Sequence, residues 1–219
     1  AVLYAGNEHR IELNEIHDVC RRSSDAGAIY TGRDWGSRGK VIAHNFIHSI
    51  NTHIDGYGVH AIYLDDCDSG DTVTGNVVYQ IENNGLLVGG GRDNIIENNL
   101  FVDCANGIFA DNRGVHWIVD TPDSSWNLLK NLANRGIDRH AEPWASRYPK
   151  LDAIPDDFAN ILGTHWTWPE GNRFERNAGW GNANWMSESN FGGATDLVFG
   201  AFAAIADNNE SQTPLFGEE

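Results

Sequence analysis

Acidic, basic and aromatic side chains recur at the ends of four apolar segments, at residues 30–35, 63–66, 89–93 and 111–113. Two carboxylates within reach of one another can cleave a glycosidic bond, one as the acid and the other as nucleophile or base. Arginines and aromatic rings beside them can bind sugar hydroxyls, acidic groups and the faces of sugar rings. We therefore predict catalytic carboxylates at Asp34, Asp65, Asp66 and Asp111. The predicted substrate-binding residues are Tyr30, Arg33, Trp35, Tyr63, Arg92 and Arg113.

Other roles for the same groups stay open. The Asp65–Asp66 pair stands in a turn-forming segment, where such pairs commonly shape a turn or bind Ca²⁺, so Ca²⁺ is a possible cofactor although no metal ligands are assigned. The arginines could pair with the acids as a structural network. A lyase would instead use Arg or Lys to abstract a proton beside a uronate carboxylate, with Ca²⁺ or Arg neutralising that carboxylate.

A repeated pattern around one asparagine supplies the elements that would position these groups. The pattern is an apolar residue, two further residues, Asn, one residue and an apolar residue. It is centred on Asn14, Asn45, Asn76, Asn99 and Asn177. A second apolar segment follows the first four copies, at residues 28–30, 61–63, 86–88 and 108–110. Two strand-like segments in each repeat of about 20–30 residues predict an all-β fold, a right-handed parallel β-helix, with the asparagines stacked at one corner.

Strand alternation predicts which side chains of the second segment face solvent. The predicted inward column is Ile29, Ile62, Leu87 and Phe109. Tyr30 and Tyr63 then point outward, with Tyr4 one turn earlier. Neighbouring parallel strands lie about 4.8 Å apart, so charged groups on adjacent turns would be within reach of one another.

The repeat is interrupted at residues 114–171, a stretch rich in Trp. We predict one irregular, partly helical insertion there, packed on the side of the solenoid, where insertions commonly form a wall of a binding groove. Residues 1–219 are expected to form a single β-helix domain. Because neither end resembles a polar cap, we expect this domain to be a fragment of a longer chain.

Composition narrows the range of partners. The chain carries 31 acids against 15 bases, a net charge of −16, which argues against nucleic acid because phosphate binding needs a basic surface. No apolar run approaches the ~20 residues of a membrane span, so no membrane partner is expected. The three cysteines, Cys20, Cys67 and Cys104, lack the spacing of a zinc site.

The chain resembles a widespread group of bacterial right-handed parallel β-helix proteins associated with polysaccharide breakdown, which share the pectin-lyase-like fold. The resemblance is carried by residues 24–35, 62–66, 69–70, 89–94, 98–103, 111–114 and 143–149. This group includes glycoside hydrolases, lyases and epimerases, and the nearest branch contains fucosidase- and xylanase-like enzymes.

The resemblance implies an extracellular or periplasmic glycoside hydrolase with a plant or algal polysaccharide or oligosaccharide as its substrate. Two alternatives remain beside it. One is a polysaccharide lyase acting on a uronate-containing glycan, and the other is a non-catalytic carbohydrate-binding β-helix fragment.

Overall fold

The computed structural model describes residues 1–115, 127–157, 161, 165–191 and 197–211. The strands are β1 (Val2–Leu3), β2 (Arg10–Glu12), β3 (Glu15–His17), β4 (Ala26–Gly32), β5 (Val41–Ala43), β6 (Phe46–Ile50), β7 (Val59–Asp65), β8 (Thr72–Thr74), β9 (Val77–Gly89), β10 (Ile95–Glu97), β11 (Leu100–Asp111), β12 (Arg173–Glu175), β13 (Ala178–Trp180), β14 (Asn184–Ser189), β15 (Ala204–Ala206) and β16 (Asn209–Ser211). The helices are α1 (Leu128–Asn134), α2 (Trp144–Arg147) and α3 (Pro149–Asp152), and 3₁₀ turns lie at Arg113–Val115, His165–Thr167 and Phe199–Ala201.

The strands form two sheets in which the paired strands run parallel and belong to successive turns of one coil. The smaller sheet has the order β15-β12-β10-β8-β5-β2, and the larger one follows β1-β4-β7-β9-β11-β13-β16, with β3, β6 and β14 paired beside this path. Each turn crosses from the small sheet to the large sheet and back. The predicted all-β parallel β-helix is confirmed. In the part of the chain that the structure describes, no helix has the length and apolarity to cross a membrane.

One apolar side chain per turn fills the small-sheet side of the core. These side chains are in register at Ile11, Ile42, Val73, Ile96, Phe174 and Ile205. The four central ones are completely buried. Burying an apolar side chain of this size contributes roughly 1.5–3 kcal/mol relative to leaving it exposed, so the column stabilises the stacking of every turn.

The predicted asparagine ladder lies at the corner between the two sheets. The backbone N–H and the Nδ2 of Asn45 both donate to Oδ1 of Asn76, at 3.0 and 2.9 Å, and Nδ2 of Asn76 donates to the carbonyl of Ile42 at 2.9 Å. The same pattern continues through Asn99, Asn177 and Asn208. The residue before each asparagine has a positive φ, which turns the chain sharply and leaves backbone groups for the side-chain amides to satisfy.

The register of the large sheet corrects the predicted inward column in two turns. Ile62 pairs with Leu86, and Tyr63 pairs with Leu87. The inward column is therefore Ile29, Ile62, Leu86 and Ile108. Leu87 and Phe109 lie on the outer side with Tyr30 and Tyr63. The prediction was wrong because two adjacent apolar residues leave the strand alternation undetermined by sequence, and a one-residue slip moves a side chain to the other face.

Tyr4 is also placed differently from the prediction. Leu3, rather than Tyr4, pairs with Tyr30. The ring of Tyr4 packs against the core, and its hydroxyl donates to Oδ2 of Asp71 at 3.3 Å. Tyr4 therefore does not extend the outward aromatic column.

The stretch between β11 and β12 packs on the coil through a second apolar cluster. Trp35 and Cys67 come from the coil, and they share this buried cluster with Leu128, Leu132, Leu151, Ile154 and Ile161. Helix α1 begins after Asn127, whose side chain accepts a hydrogen bond from the backbone of Lys130. Residues 116–126, 158–160 and 162–164 of the predicted insertion lie outside the described residues. The prediction of a single domain within a longer chain stays a prediction.

Replacing Asn76 by Ala would leave the backbone N–H of Asn45 and the carbonyl of Ile42 without their partners inside the protein. We expect Asn76→Ala to lower the free energy of unfolding by about 2–5 kcal/mol, measured by urea denaturation. Asn14→Ala is the matched control, because Asn14 occupies the exposed first rung and should cost less than about 1 kcal/mol. Equal losses of unfolding free energy in the two variants would contradict a larger contribution of the buried asparagines to stability.

Candidate active site

A groove of about 770 Å³ lies on the outer face of β4, β7, β9 and β11. Its aromatic and apolar lining residues are Tyr30, Tyr57, Tyr63, Leu87, Phe109 and Phe191. Its charged lining residues are Asp25, Arg33, Asp65, Asp66, Asp111 and Arg113, and its neutral polar ones are His60, Asn83, Asn84 and Asn106. The groove therefore combines a large apolar surface with charged groups near the strand ends, as ligand-binding clefts commonly do.

The parallel register places two carboxylates on either side of a glycine. Asp111 at the end of β11 pairs with Gly89 at the end of β9, and Asp65 occupies the equivalent place at the end of β7. A Cβ atom on Gly89 would lie only 2.7 Å from Cζ of Arg113. Because Gly89 has no side chain, the guanidinium of Arg113 fits between the two carboxylates.

The guanidinium of Arg113 contacts three carboxylates at once. Nη2 lies 2.7 Å from Oδ2 of Asp111, Nη1 forms a short contact with Oδ1 of Asp65, and Nη1 lies 3.5 Å from Oδ1 of Asp66. Nη1 also lies 3.4 Å from the hydroxyl oxygen of Tyr63. All of these residues are nearly buried. Because buried carboxyls need a counter-charge, the guanidinium of Arg113 stabilises this cluster of acids.

Asp65 and Asp66 are neighbours in sequence, yet both side chains line the groove. Asp66 has a φ of 39°, which takes it out of the extended alternation of β7 and turns its carboxylate to the same side as Asp65. Nε and Nη2 of Arg33 donate to Oδ2 of Asp66, at 3.0 and 2.7 Å. Asp65 accepts from the hydroxyl of Tyr30 at 2.7 Å and from the backbone N–H of Asp66 at 2.9 Å.

The surroundings affect the carboxyl groups unequally. Burial raises the pKa of Asp66, the charge of Asp65 adds to that rise, and Arg33 and Arg113 oppose it. Burial likewise raises the pKa of Asp111, against the opposing effect of Arg113. Asp65 receives hydrogen bonds from the Tyr30 hydroxyl and the backbone N–H of Asp66 in addition to its contact with Arg113. Neighbouring carboxyls in unequal environments can divide the roles of acid and base.

Seven of the ten residues predicted from sequence come together in this groove. They are Tyr30, Arg33, Tyr63, Asp65, Asp66, Asp111 and Arg113. The other three lie elsewhere. Asp34 forms an ion pair with Arg135 of the insertion, and Trp35 is buried beneath the insertion in the second apolar cluster. Arg92 stacks 4.4 Å from the ring centre of Trp166 and donates to the carbonyl of that residue. These three are not groove residues, because the insertion covers the chain around them.

Several groove residues were not predicted from the sequence. The most exposed of them is Tyr57, at 82%. Tyr57 stands between Gly56 and Gly58, whose φ angles are 148° and 82°. A Cβ atom on Gly56 would lie 2.3 Å from Oγ of Ser24, so glycine is required where this loop approaches β4. The Gly-Tyr-Gly sequence was the available signal. No sequence signal distinguishes His60, Asn84 and Asn106 from other strand residues.

Comparison with known proteins gives one match. The family model described as "Periplasmic copper-binding protein (NosD)" matches residues 3–120, which include the strands that form the groove. No curated protein and no protein of solved structure matches the chain.

The described residues do not fit a copper site. Among them, no group of three or more His, Cys, Asp and Glu side chains is arranged to hold a metal ion. Cys67 and Cys104 are buried in separate apolar clusters, and burial raises the pKa of the Cys104 thiol to about 12, which disfavours the thiolate that binds metals. Three acids of the groove, Asp65, Asp66 and Asp111, are already bridged by Arg113.

Arg113→Met would leave the buried carboxyls without their main counter-charge. We expect a loss of about 3–5 kcal/mol in the free energy of unfolding near neutral pH. The folded-state pKa values of Asp66 and Asp111 are already raised, and removing Arg113 raises them further. A carboxyl whose folded-state pKa is raised destabilises the fold as pH rises from its unfolded-state pKa to its folded-state pKa. The loss of unfolding free energy in Arg113→Met should therefore be smaller near pH 4 than near neutral pH.

Urea denaturation at the two pH values measures this difference. Arg33→Met is the control, because the Arg33 side chain is 42% exposed and its pair with Asp66 should contribute about 1 kcal/mol or less. A loss for Arg113→Met that is the same at both pH values would contradict the assigned role of Arg113.

Proposed function

The chain belongs to the family of the periplasmic copper-binding protein NosD, and we propose that it is a periplasmic protein, as the family description indicates, whose groove binds a glycan and hydrolyses it. The observation that carries the proposal is the pair Asp65 and Asp66 at one end of an open groove with aromatic and apolar walls. Their unequal environments supply an acid and an acceptor side by side. A pair of carboxyls of this kind is the usual machinery of glycoside hydrolysis.

Asp66 takes the role of general acid in this proposal. Its raised pKa favours retention of a proton, which it donates to the glycosidic oxygen as the bond to the anomeric carbon breaks. The leaving sugar departs with that proton as a hydroxyl group. Asp65 acts at the anomeric carbon. It either attacks that carbon as the glycosidic bond breaks, forming an ester that water then hydrolyses, or it takes a proton from the water that attacks that carbon. Tyr30 and Arg113 hold the carboxylate of Asp65 in place.

The walls of the groove suit the faces of sugar rings. Tyr57 presents an exposed ring at the rim, and Leu87 and Phe109 form an apolar surface along the strands. Sugars carry C–H groups on one face that pack on such surfaces, while their hydroxyls reach polar groups at the edge. Asn83, Asn84 and Asn106 supply those polar groups.

The charge of the groove favours a neutral glycan over a uronate. Four carboxyl side chains line it, at Asp25, Asp65, Asp66 and Asp111, against the two guanidinium groups of Arg33 and Arg113. Both guanidinium groups are already paired with these acids, and among its described lining residues there is no Lys. A uronate carboxylate would therefore be repelled, which disfavours a lyase mechanism.

Asp66→Asn removes the proposed acid with little change in shape. With a neutral plant or algal polysaccharide that the parent protein cleaves, we expect kcat to fall by about 10²–10⁴-fold. Asp65→Asn should give a loss of similar size. Release of reducing ends measures the rate. Asp34→Asn is the matched control, because Asp34 lies outside the groove and its substitution should leave the rate unchanged.

Three outcomes would contradict the proposal. They are full activity in the two groove variants, cleavage by the parent that yields unsaturated products, and failure of the parent to cleave any glycan in a broad neutral panel. The second outcome would indicate a lyase. The third, if accompanied by binding, would indicate a non-catalytic carbohydrate-binding protein.

Tyr57→Ala removes the exposed ring at the rim of the groove. Because aromatic stacking contributes modestly to binding, we expect KM to rise roughly 2–10-fold while kcat changes little. Tyr57→Phe keeps the ring and should behave as the parent protein. Steady-state kinetics on the same glycan measures both quantities. A rise in KM for Tyr57→Phe equal to that for Tyr57→Ala would mean that the hydroxyl, not the ring, makes the contact.

A further inference from the structure

A second ladder of polar side chains runs along the groove wall and ends at His60. Nδ2 of Asn184 donates to Oδ1 of Asn106 at 3.1 Å, and Nδ2 of Asn106 donates to Oδ1 of Asn84 at 2.7 Å. Nδ2 of Asn84 lies 3.0 Å from Nδ1 of His60. The four side chains belong to four successive turns, because Asn106 pairs with both Asn84 and Asn184, and His60 lies level with Asn84.

The hydrogen bonds of this ladder all point in one direction. Asn106 and Asn84 each accept through the amide oxygen from the later turn and face the earlier turn with the amide nitrogen. Since Oδ1 of Asn84 is occupied by Asn106, the amide nitrogen of Asn84 faces His60 and must donate. A ring nitrogen that accepts a hydrogen bond carries no proton, so the proton of a neutral His60 is on Nε2.

The surroundings of His60 keep its imidazole neutral and fixed. The side chain is 2% exposed, and its ring packs edge-on against Tyr63 with 4.7 Å between ring centres. Burial and the positive charge of Arg113 lower the pKa of His60 to about 3. The imidazole therefore stays uncharged throughout the physiological pH range, and the ladder selects one of its two tautomers.

The other ring nitrogen of His60, Nε2, lies on the side of the imidazole away from the one that faces Asn84. In the preceding turn, His60 pairs with Gly27. His60 is itself one of the groove-lining residues. Extending the proposed function, we infer that His60 is a substrate-positioning residue whose Nε2–H donates a hydrogen bond to a hydroxyl oxygen of the bound glycan.

Nuclear magnetic resonance tests the tautomer without any glycan. A two-bond ¹⁵N–¹H correlation spectrum of the labelled protein distinguishes protonated from unprotonated ring nitrogens, and the His60 signals are assigned by their absence in His60→Gln. We expect a protonated Nε2 and an unprotonated Nδ1. Asn84→Asp replaces the donor by an acceptor, so Nδ1 should become protonated in that variant. A wild-type His60 with its proton on Nδ1 would overturn the inference, whatever the protein binds.

Glycan affinity tests the positioning role. With the cleaved glycan and the inactive Asp66→Asn protein as background, His60→Leu should weaken binding roughly tenfold, since a buried hydrogen-bond donor is lost. His60→Gln offers an amide N–H in its place and should restore most of the affinity. His48→Gln is the control, because His48 lies outside the groove beside Glu15 and should bind as the background protein does.

Failure of the proposed His60 role can be told apart from failure of the proposed function. Equal affinity for His60→Leu and the background protein would overturn the role of His60 while leaving the hydrolase proposal intact. Absence of glycan binding in the background protein would overturn the proposed function and this role together, even if the tautomer is the expected one. Thermal melting of each variant checks that a loss of affinity does not come from unfolding.

Discussion

In the described coil, successive turns are held in register by a ladder of asparagines, whose central members are buried. The side chain of Asn76, for example, binds the backbone of the turn before it at two places, and its own backbone is bound by Asn99. In a parallel sheet a slip of one residue would exchange the inner and outer faces of a strand. The asparagine ladder resists such a slip, so it decides which side chains fill the core and which ones line the groove.

The groove follows from this fixed register. Because equivalent positions stack one above another, the ends of β7 and β11 bring Asp65 and Asp111 to the same edge, with Gly89 between them. Arg113 fills the space that Gly89 leaves and balances the charges of the acids. Without a guanidinium in that place, three nearly buried carboxyls would repel one another. The same stacking aligns the amides that end at His60, so the electrostatics and the hydrogen bonding of the groove both depend on the register.

The repeat made the fold predictable from sequence, because a periodic Asn and two apolar segments per turn leave few alternatives to a parallel coil. Asp65 and Asp111 could be placed together for the same reason, since both end a strand of the same sheet. Asp34 could not be placed, because it lies past the strand end, where contacts with the insertion decide its position. The face of Leu87 was ambiguous beside another leucine. Tyr57 belongs to a loop, whose path depends on close contacts with a neighbouring turn rather than on periodicity.

In the proposed function, this groove binds a glycan, and Asp65 and Asp66 cleave it. The most direct test is a crystal structure of the Asp66→Asn protein with a bound neutral oligosaccharide. We expect sugar rings in the groove against Tyr57, and a glycosidic oxygen within hydrogen-bond distance of the side chain at position 66, as the proposed function requires. An oligosaccharide bound elsewhere on the coil, with the groove left empty, would contradict the proposed function.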